Sequence, residues 1–343
     1  MQTVEILKKL TGCYGVSGRE SDGIADRSAE LLSEYGEVTV SPLGSVSVHI
    51  KGKGKRILLD AHMDSIGMVV TDVDSSGFLR IDRCGGVDTR ILAAAPVTVI
   101  GRKPLKGVII STPPHLAKDG DSDKALTFEN AAVDTGLSYE EASQLISVGD
   151  RIVFDGEFLT LANGRVCCPY LDDRAGMAVL INVLDILRTK KTDCDITVQF
   201  AVQEETGGSG ANTGAFASDF DEAIAVDVSF AKAPSVTEPT CGTLGKGSMI
   251  CISPSLSCEF SDELIGLAKK NGIPYQLEVC PGLTGTDADS IAAAKGGIKT
   301  AVISVPQRNM HTPAEIVDVN DIGNTSRLIA DYILSKGENG NDK

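Results

Sequence analysis

Tryptophan is absent from the 343 residues and aromatic side chains make up only 4%. An interior built from this chain must therefore be aliphatic. No run of about 18 apolar residues occurs, which excludes a membrane-spanning helix. Positive charge is in deficit, with 32 Lys and Arg against 47 Asp and Glu and a net charge of −15. That balance argues against a nucleic-acid backbone or an anionic membrane as partner. Nine cysteines are present but no Cys-x-x-Cys, so neither a zinc ribbon nor a redox pair is signalled. An odd, scattered set of this kind reads as reduced thiols in a cytoplasmic protein. Histidine is scarce, at four residues. No internal repeat is found. The opening stretch from Met1 is expected to start an amphipathic helix rather than a signal peptide.

What is present suffices for one large domain or two ordinary ones. Hydrophobic residues are 42% and charged residues 23%, so a packed core is expected and disorder is not. Residues 2–12 read as a short helix with Val4, Leu7 and Leu10 inward. Ser17-Gly-Arg-Glu20 fits a capping box for a helix carrying Ile24, Leu31, Leu32 and Tyr35. Val38–Val40, Val46–Ile50 and Arg56–Ala61 read as strands, with Lys51–Arg56 forming a tight hairpin turn. From about Thr71 to Ala162 short β runs alternate with Gly, Pro and Asp, and Pro113–Ser143 reads as a long polar loop with a helix near Tyr139–Ile146. Strand–helix alternation returns from Arg165. The expected division is therefore a catalytic domain of residues 1–70 and 164–343, interrupted by a β-rich insert of residues 71–163. The tail from Gly337 is expected to be loose.

The most informative stretch is Ile196-Thr-Val-Gln-Phe-Ala-Val-Gln203, a buried strand with Ile196, Val198, Phe200 and Val202 on one face. It runs into Glu204-Glu205-Thr-Gly-Gly-Ser-Gly210. Alone, such a pair is an ordinary solvated turn. Two adjacent carboxylates at a strand end repel, however, and call for a positive neighbour. Ligands in open α/β sheets collect beyond the carboxyl ends of strands. There the sequence places His62, Glu205, Asp227 and His311, with Asp172 at the start of a helix. Two histidines and three carboxylates suit zinc or cobalt, and also manganese. Asp64, two residues past His62, can take the ring proton of a ligating imidazole. His49 and His115 read as structural.

Five segments occur in order: Ala61-His-Met-Asp-Ser-Ile-Gly67, Leu171-Asp-Asp-Arg-Ala-Gly176, Gln203-Glu-Glu-Thr-Gly207, Gly285-Thr-Asp-Ala288 and Pro306-Gln-Arg-Asn-Met-His-Thr-Pro313. The series resembles the tetrahedral (TET) or glutamyl-aminopeptidase family of dinuclear metallo-aminopeptidases, over nearly the whole chain. The resemblance extends into the insert at Cys84-Gly-Gly86 and Pro113-Pro-His115. It implies an α/β zinc-peptidase-like domain with a central mixed β-sheet flanked by helices, interrupted by a β-rich insert, barrel or PDZ-like. It further implies two divalent metal ions per chain, with Asp172 bridging. His62 and Asp227 would complete one site, Glu205 and His311 the other. Glu204 would be the general base and Asp64 the partner of His62. The implied substrates are short peptides, cut at their first bond, and the implied assembly is dimers building a dodecamer around an inner cavity. Ser65, Asn309 and Ser45 depart from the family's usual Glu, Tyr and Asn, and Asp227–Pro234 is a loose version of its segment. These departures bear on substrate preference rather than on catalysis.

Three other readings compete. The same centre could cut another amide, as an N-acyl amino-acid deacylase does. A glycosidase could use Glu204 and a second carboxylate, which leaves His62 and His311 without a task. A phosphate or nucleotide site could use Gly207–Gly210, but it lacks the Lys-Ser/Thr of a P-loop. The residues that choose the substrate's first side chain are not legible, with Thr286, Asp287 and the insert as the expected places to look.

Overall fold

Four apolar runs, Arg56–His62, Asp195–Ala201, Glu222–Phe230 and Lys299–Arg308, lie side by side as parallel strands in a computed structural model. It describes residues 2–116, 124–234, 236 and 241–338. Side chains along these strands alternate between two interiors. Ile57, Leu59, Ala61, Ile196, Val198, Phe200, Val202, Ile224 and Val226 face one. Leu58, Ala201, Ala223, Ala225 and Val302 face the other. Both faces are covered, as parallel strands require. The helices Thr3–Thr11, Leu171–Arg188 and Val319–Glu338 pack on the first face, and Ser209–Ala217 and Asp287–Ala292 on the second. Each fully buried Leu, Ile or Phe contributes ~1.5–3 kcal/mol. The interior is aliphatic as expected, and Phe260 against Tyr332 is its one aromatic pair among the described residues.

Among the described residues the full sheet has eleven strands. Val46–Ile50 and Val38–Val40 extend one side. Glu315–Asp318, Arg165–Cys168 and Leu159–Thr160 extend the other. Ser248–Ile252 also pairs with Lys299–Arg308 and carries Tyr275–Val279 beside it. The expected hairpin at Lys51–Arg56 is not formed. Val46–Ile50 and Arg56–His62 are separated by Asp195–Ala201, which pairs with both. The connection therefore spans two strand spacings, roughly 10 Å. Its Lys53 and Gly54 amides donate to the Asp193 carbonyl at 2.9 and 2.6 Å. A local turn signal cannot reveal that a distant strand will insert.

The expected capping box is also absent. The helix Ile24–Leu32 starts at Gly23 without a side-chain cap. The Ser17 hydroxyl donates instead to Asp64, and Glu20 accepts from the Gly18 and Gln203 amides at 3.0 and 3.1 Å. Both residues are spent on loops that shape the site. The closing helix continues through Glu338, past the expected loose point, and the remaining tail lies outside the described residues.

Six strands between Gly67 and Phe154 close into a barrel in the order Gly67–Val73, Leu79–Cys84, Ala132–Asp134, Pro104–Ile109, Pro96–Ile100 and Arg151–Phe154. Met68, Val70, Leu79, Ile81, Val97, Val99, Ile109, Val133 and Ile152 fill it. The β-rich segment is thus a closed barrel rather than a PDZ-like sheet. Within the stretch read as one long loop, Ala132–Asp134 is a barrel strand and Tyr139–Leu145 is the expected helix, while residues 117–123 lie outside the described residues.

Candidate metal centre

The carboxyl ends of the parallel strands deliver the site. His62 is the last residue of its strand. Asp227 lies inside Glu222–Phe230, on the side opposite the inward Val226 and Val228. Glu204 and Glu205 do not extend the strand that precedes them. Asp195–Ala201 ends earlier, Gln203 takes a left-handed backbone (φ 62°), and Glu204–Thr206 forms one 3-10 turn. Asp172 opens the helix Leu171–Arg188 with non-helical backbone, following Tyr170 at φ 66°. His311 itself sits at φ 61°, and Asn309 at φ 55°. Side-chain-bearing residues held in this region cost energy and cluster at functional sites.

Asp172 is the centre of the arrangement. Its Oδ1 lies 3.1 Å from His62 Nε2 and its Oδ2 3.2 Å from His311 Nε2. Asp227 Oδ1 is 3.9 Å from His62 Nε2, and Glu205 Oε1 is 3.3 Å from His311 Nε2. Each histidine therefore has one further carboxylate beside it, and Asp172 reaches both. Both imidazoles are oriented from behind. His62 Nδ1 lies 3.1 Å from the Asp64 carbonyl, and His311 Nδ1 lies 3.0 Å from the Gly86 carbonyl. A carbonyl only accepts, so Nδ1 carries the proton and Nε2 is left to bind a cation. Gly86 belongs to the β-rich segment. A Cβ there would stand 2.8 Å from His311 Nδ1, so only glycine permits this approach.

Asp64 does more than the sequence suggested. Its carboxylate is 3.5 Å from His62 Nδ1, farther than its own carbonyl. The carboxylate's main bonds run elsewhere: it accepts from the Glu204 and Glu205 amides at 3.0 and 3.2 Å and from the Ser17 hydroxyl. It clamps the turn that carries both glutamates.

Sequence reasoning missed two acids. Asp173 is buried, and one of its oxygens comes within 4.8 Å of donor atoms of His62 and Asp227. Glu315 accepts from the Asp172 and His311 amides at 3.1 and 2.8 Å and so positions both. The Asp-Asp pair at the helix start was the available signal for the first. The second had none, because Glu315 sits in a strand not recognised as one. His49 is exposed and pairs with Asp195 at 2.8 Å, and His115 is exposed, both away from the site.

The electrostatics demand positive charge. Burial pushes the Glu204 carboxyl up to about 7 against the pull of His62, with Glu205 and Asp172 adding to the rise. Burial, with Asp172 nearby, holds Asp227 well above the usual carboxylate range. Burial disfavours charge on His311, yet Asp172 and Glu205 outweigh it and raise its pKa to about 11. Glu205 Oε1 and Asp173 Oδ2 are buried without a hydrogen-bond partner. Such orphaned buried acceptors are costly, and a cation would satisfy them. The donors form two sets, His62, Asp173 and Asp227, and Asp172, Glu205 and His311, each with its ligand atoms within 4.8 Å of one another. Imidazole and carboxylate together fit a divalent transition metal. The cluster lines an open cavity of about 870 Å³.

Comparisons with known proteins find relatives along nearly the whole chain. Residues 44–328 match the family model of M42 glutamyl aminopeptidase. The chain is 36% identical to the lysyl aminopeptidase of Pyrococcus furiosus over 334 residues, covering 94% of each. It superposes with a TM-score of 0.92 on a TET aminopeptidase from a marine-sediment Thaumarchaeota archaeon, at 30% identity and covering 97% of this chain and 96% of that one. A third similar structure is the Pyrococcus horikoshii TET1 peptidase, described as assembling into a tetrahedron or a large octahedral shell. Here the TM-score is 0.86 at 31% identity, covering 97% of this chain and 99% of the other.

Proposed function

The chain belongs to the M42 glutamyl aminopeptidase family, and from that premise we propose how its residues divide the work. It is a metal-dependent aminopeptidase of α/β fold. The proposal is a dinuclear centre, zinc or cobalt with manganese also accommodated, in which Asp172 bridges, His62 and Asp227 hold one ion and Glu205 and His311 the other. The single observation that carries it is the position of the two Asp172 oxygens, one against each histidine Nε2. Asp173 stands ready as an additional acid on the His62 side.

Bound divalent cations would supply Lewis-acid polarisation of the scissile carbonyl and ease deprotonation of water. The chain supplies the rest. Glu204 lines the cavity, and its side chain makes no hydrogen bond among the described residues. Its carboxylate takes the proton from the attacking water and returns it to the leaving amine nitrogen. Asp64 keeps Glu204 and Glu205 in register through their amides, and the Gly86 and Asp64 carbonyls hold the imidazoles in one tautomer. The excess of carboxylates attracts the free ammonium at a peptide's first residue, which favours exopeptidase action. An N-acyl amino-acid deacylase would need no such attraction.

Comparing a leucyl anilide with its N-acetyl form, with and without chelator, tests this reading. Release from the free form alone is expected, abolished by chelation and restored by added zinc or cobalt. Cleavage of the acetylated form instead would favour deacylation, and activity indifferent to chelator would contradict metal dependence.

We further propose that residues 71–163 act as a separate assembly unit beside a catalytic domain of residues 1–70 and 164–343. In this reading twelve chains, paired as dimers, enclose the active sites in the cytoplasm. The assembling TET1 relative and the barrel with its own interior support it, as do the unbridged thiols of Cys167, Cys168 and Cys194. Among the described residues, no helix is long and apolar enough to cross a membrane. Replacing the barrel itself, residues 67–154, by a short Gly-Ser linker should yield a smaller assembly by light scattering, with weakened turnover because the Gly86 carbonyl is lost from His311. An unchanged large particle would rule out the assembly role.

A further inference from the structure

The cavity continues past the metal cluster to a carboxylate that the proposed chemistry does not use. Tyr275–Val279 is the outermost strand of its branch of the sheet, and it turns Glu278 inward, half-buried. The Ser304 hydroxyl donates to Glu278 Oε2 at 3.0 Å, and the Ser229 hydroxyl donates to Oε1. These two serines fix where the carboxylate lies. Ser229 is two residues beyond Asp227 on the same strand and therefore on the same face. Ser304 is the register partner of Asp227 on the neighbouring strand. Glu278 is thus anchored directly beside the metal cluster, on the cavity side of the sheet.

The cavity around Glu278 mixes apolar walls with hydroxyls and thiols, and no cationic side chain pairs with Glu278 among the described residues. Among the described residues that line the cavity there is no lysine or arginine. Val279, Leu283 and Phe230 expose 56%, 76% and 57% of their surface at its walls. Burial holds the Glu278 carboxyl above its ordinary pKa against the two serine bonds, so an entering ammonium would supply the charge the site lacks. Apolar walls that end in a carboxylate match a side chain with a methylene stem and a cationic head.

We infer that Glu278 is the specificity residue for the substrate's first side chain and selects lysine or arginine there. The inference rests on the aminopeptidase reading above. An acidic first residue would meet Glu278 with like charge, and a purely apolar one would desolvate the carboxylate while leaving it only its two serine bonds. The carboxylate held by Ser229 and Ser304 lies one strand step from a proposed ligand.

The test compares kcat/KM of the metal-loaded enzyme for lysyl, arginyl, methionyl and glutamyl p-nitroanilides, in wild type, Glu278→Gln and Glu278→Asp. Wild type should prefer lysine and arginine to methionine and reject glutamate. Glu278→Gln should collapse the lysine-to-methionine ratio by about 10- to 100-fold, the range for losing one charge-assisted hydrogen bond, mostly through KM. Glu278→Asp should retain most of the ratio. Product inhibition of the wild type needs no variant to fold: free L-lysine should inhibit more tightly than L-norleucine, which lacks only the ammonium. A wild-type preference for methionine or glutamate, an unchanged ratio in Glu278→Gln, or equal inhibition by the two amino acids would each overturn the inference. Release from none of the four anilides would sink the aminopeptidase reading itself and this inference with it, a result distinct from brisk turnover without preference for a basic residue.

Discussion

Glu204→Gln is expected to purify with its full metal content and to bind substrate nearly normally, while kcat falls by roughly 10²–10⁴, the range typical for losing a general base. Glu205→Gln is expected to fail differently, with low metal content and activity that partly returns as metal is added in excess. The two residues are neighbours in one 3-10 turn, and the Asp64 carboxylate holds both amides. Their side chains nevertheless diverge. Glu205 Oε1 lies 3.3 Å from His311 Nε2 and is otherwise an unpartnered buried acceptor. Glu204 lines the open cavity, where glutamine would keep the shape but could not accept a proton. Metal content and kcat for both variants across a metal titration decide between the roles. Loss of metal in Glu204→Gln with rescue, alongside a loaded but inactive Glu205→Gln, would reverse the assignment.

Asp172→Ala is expected to be the most damaging change to the centre. One carboxylate faces both histidines, at 3.1 and 3.2 Å, so its removal weakens both ion positions together. It also strips both imidazoles of the partner that most favours charge on them. Activity should fall by more than about 10²-fold, beyond what losing an outer partner of a metal ligand costs, and added metal should restore little. His311→Ala should chiefly empty one position, because His62, Asp173 and Asp227 remain together. Equal metal loss in the two variants would argue against Asp172 as the shared ligand.

The parallel strands were legible because each is a short apolar run, but of the site residues only His62 ends its strand, while Asp227 lies within one and Glu205 and His311 follow theirs. His62, Asp172, Glu205, Asp227 and His311, widely spaced in sequence, lie within one cavity lining. What stayed hidden depends on contacts between distant segments. The insertion of Asp195–Ala201 between Val46–Ile50 and Arg56–His62 leaves no trace in Lys51–Lys55. Ser17 and Glu20 look like a helix cap, but their side chains are drawn to Asp64 and to the Gln203 amide. Tyr275–Val279 carries an inverted pattern, with Leu277 and Val279 exposed and Glu278 half-buried. That inversion conceals the strand from periodicity and is also what gives the cavity its carboxylate. Ser65 and Asn309 now have local roles: the Ser65 hydroxyl donates to the Gly15 carbonyl at 3.4 Å, and the Asn309 amide to the Ala314 carbonyl at 3.1 Å.

The central claim is that a single aspartate organises two metal positions. Elemental analysis of the wild-type enzyme, saturated with zinc or cobalt and freed of excess by gel filtration, tests it most directly. Two ions per chain are predicted, with both depleted in Asp172→Ala. One tightly held ion per chain at saturation, undiminished in Asp172→Ala, would contradict the account.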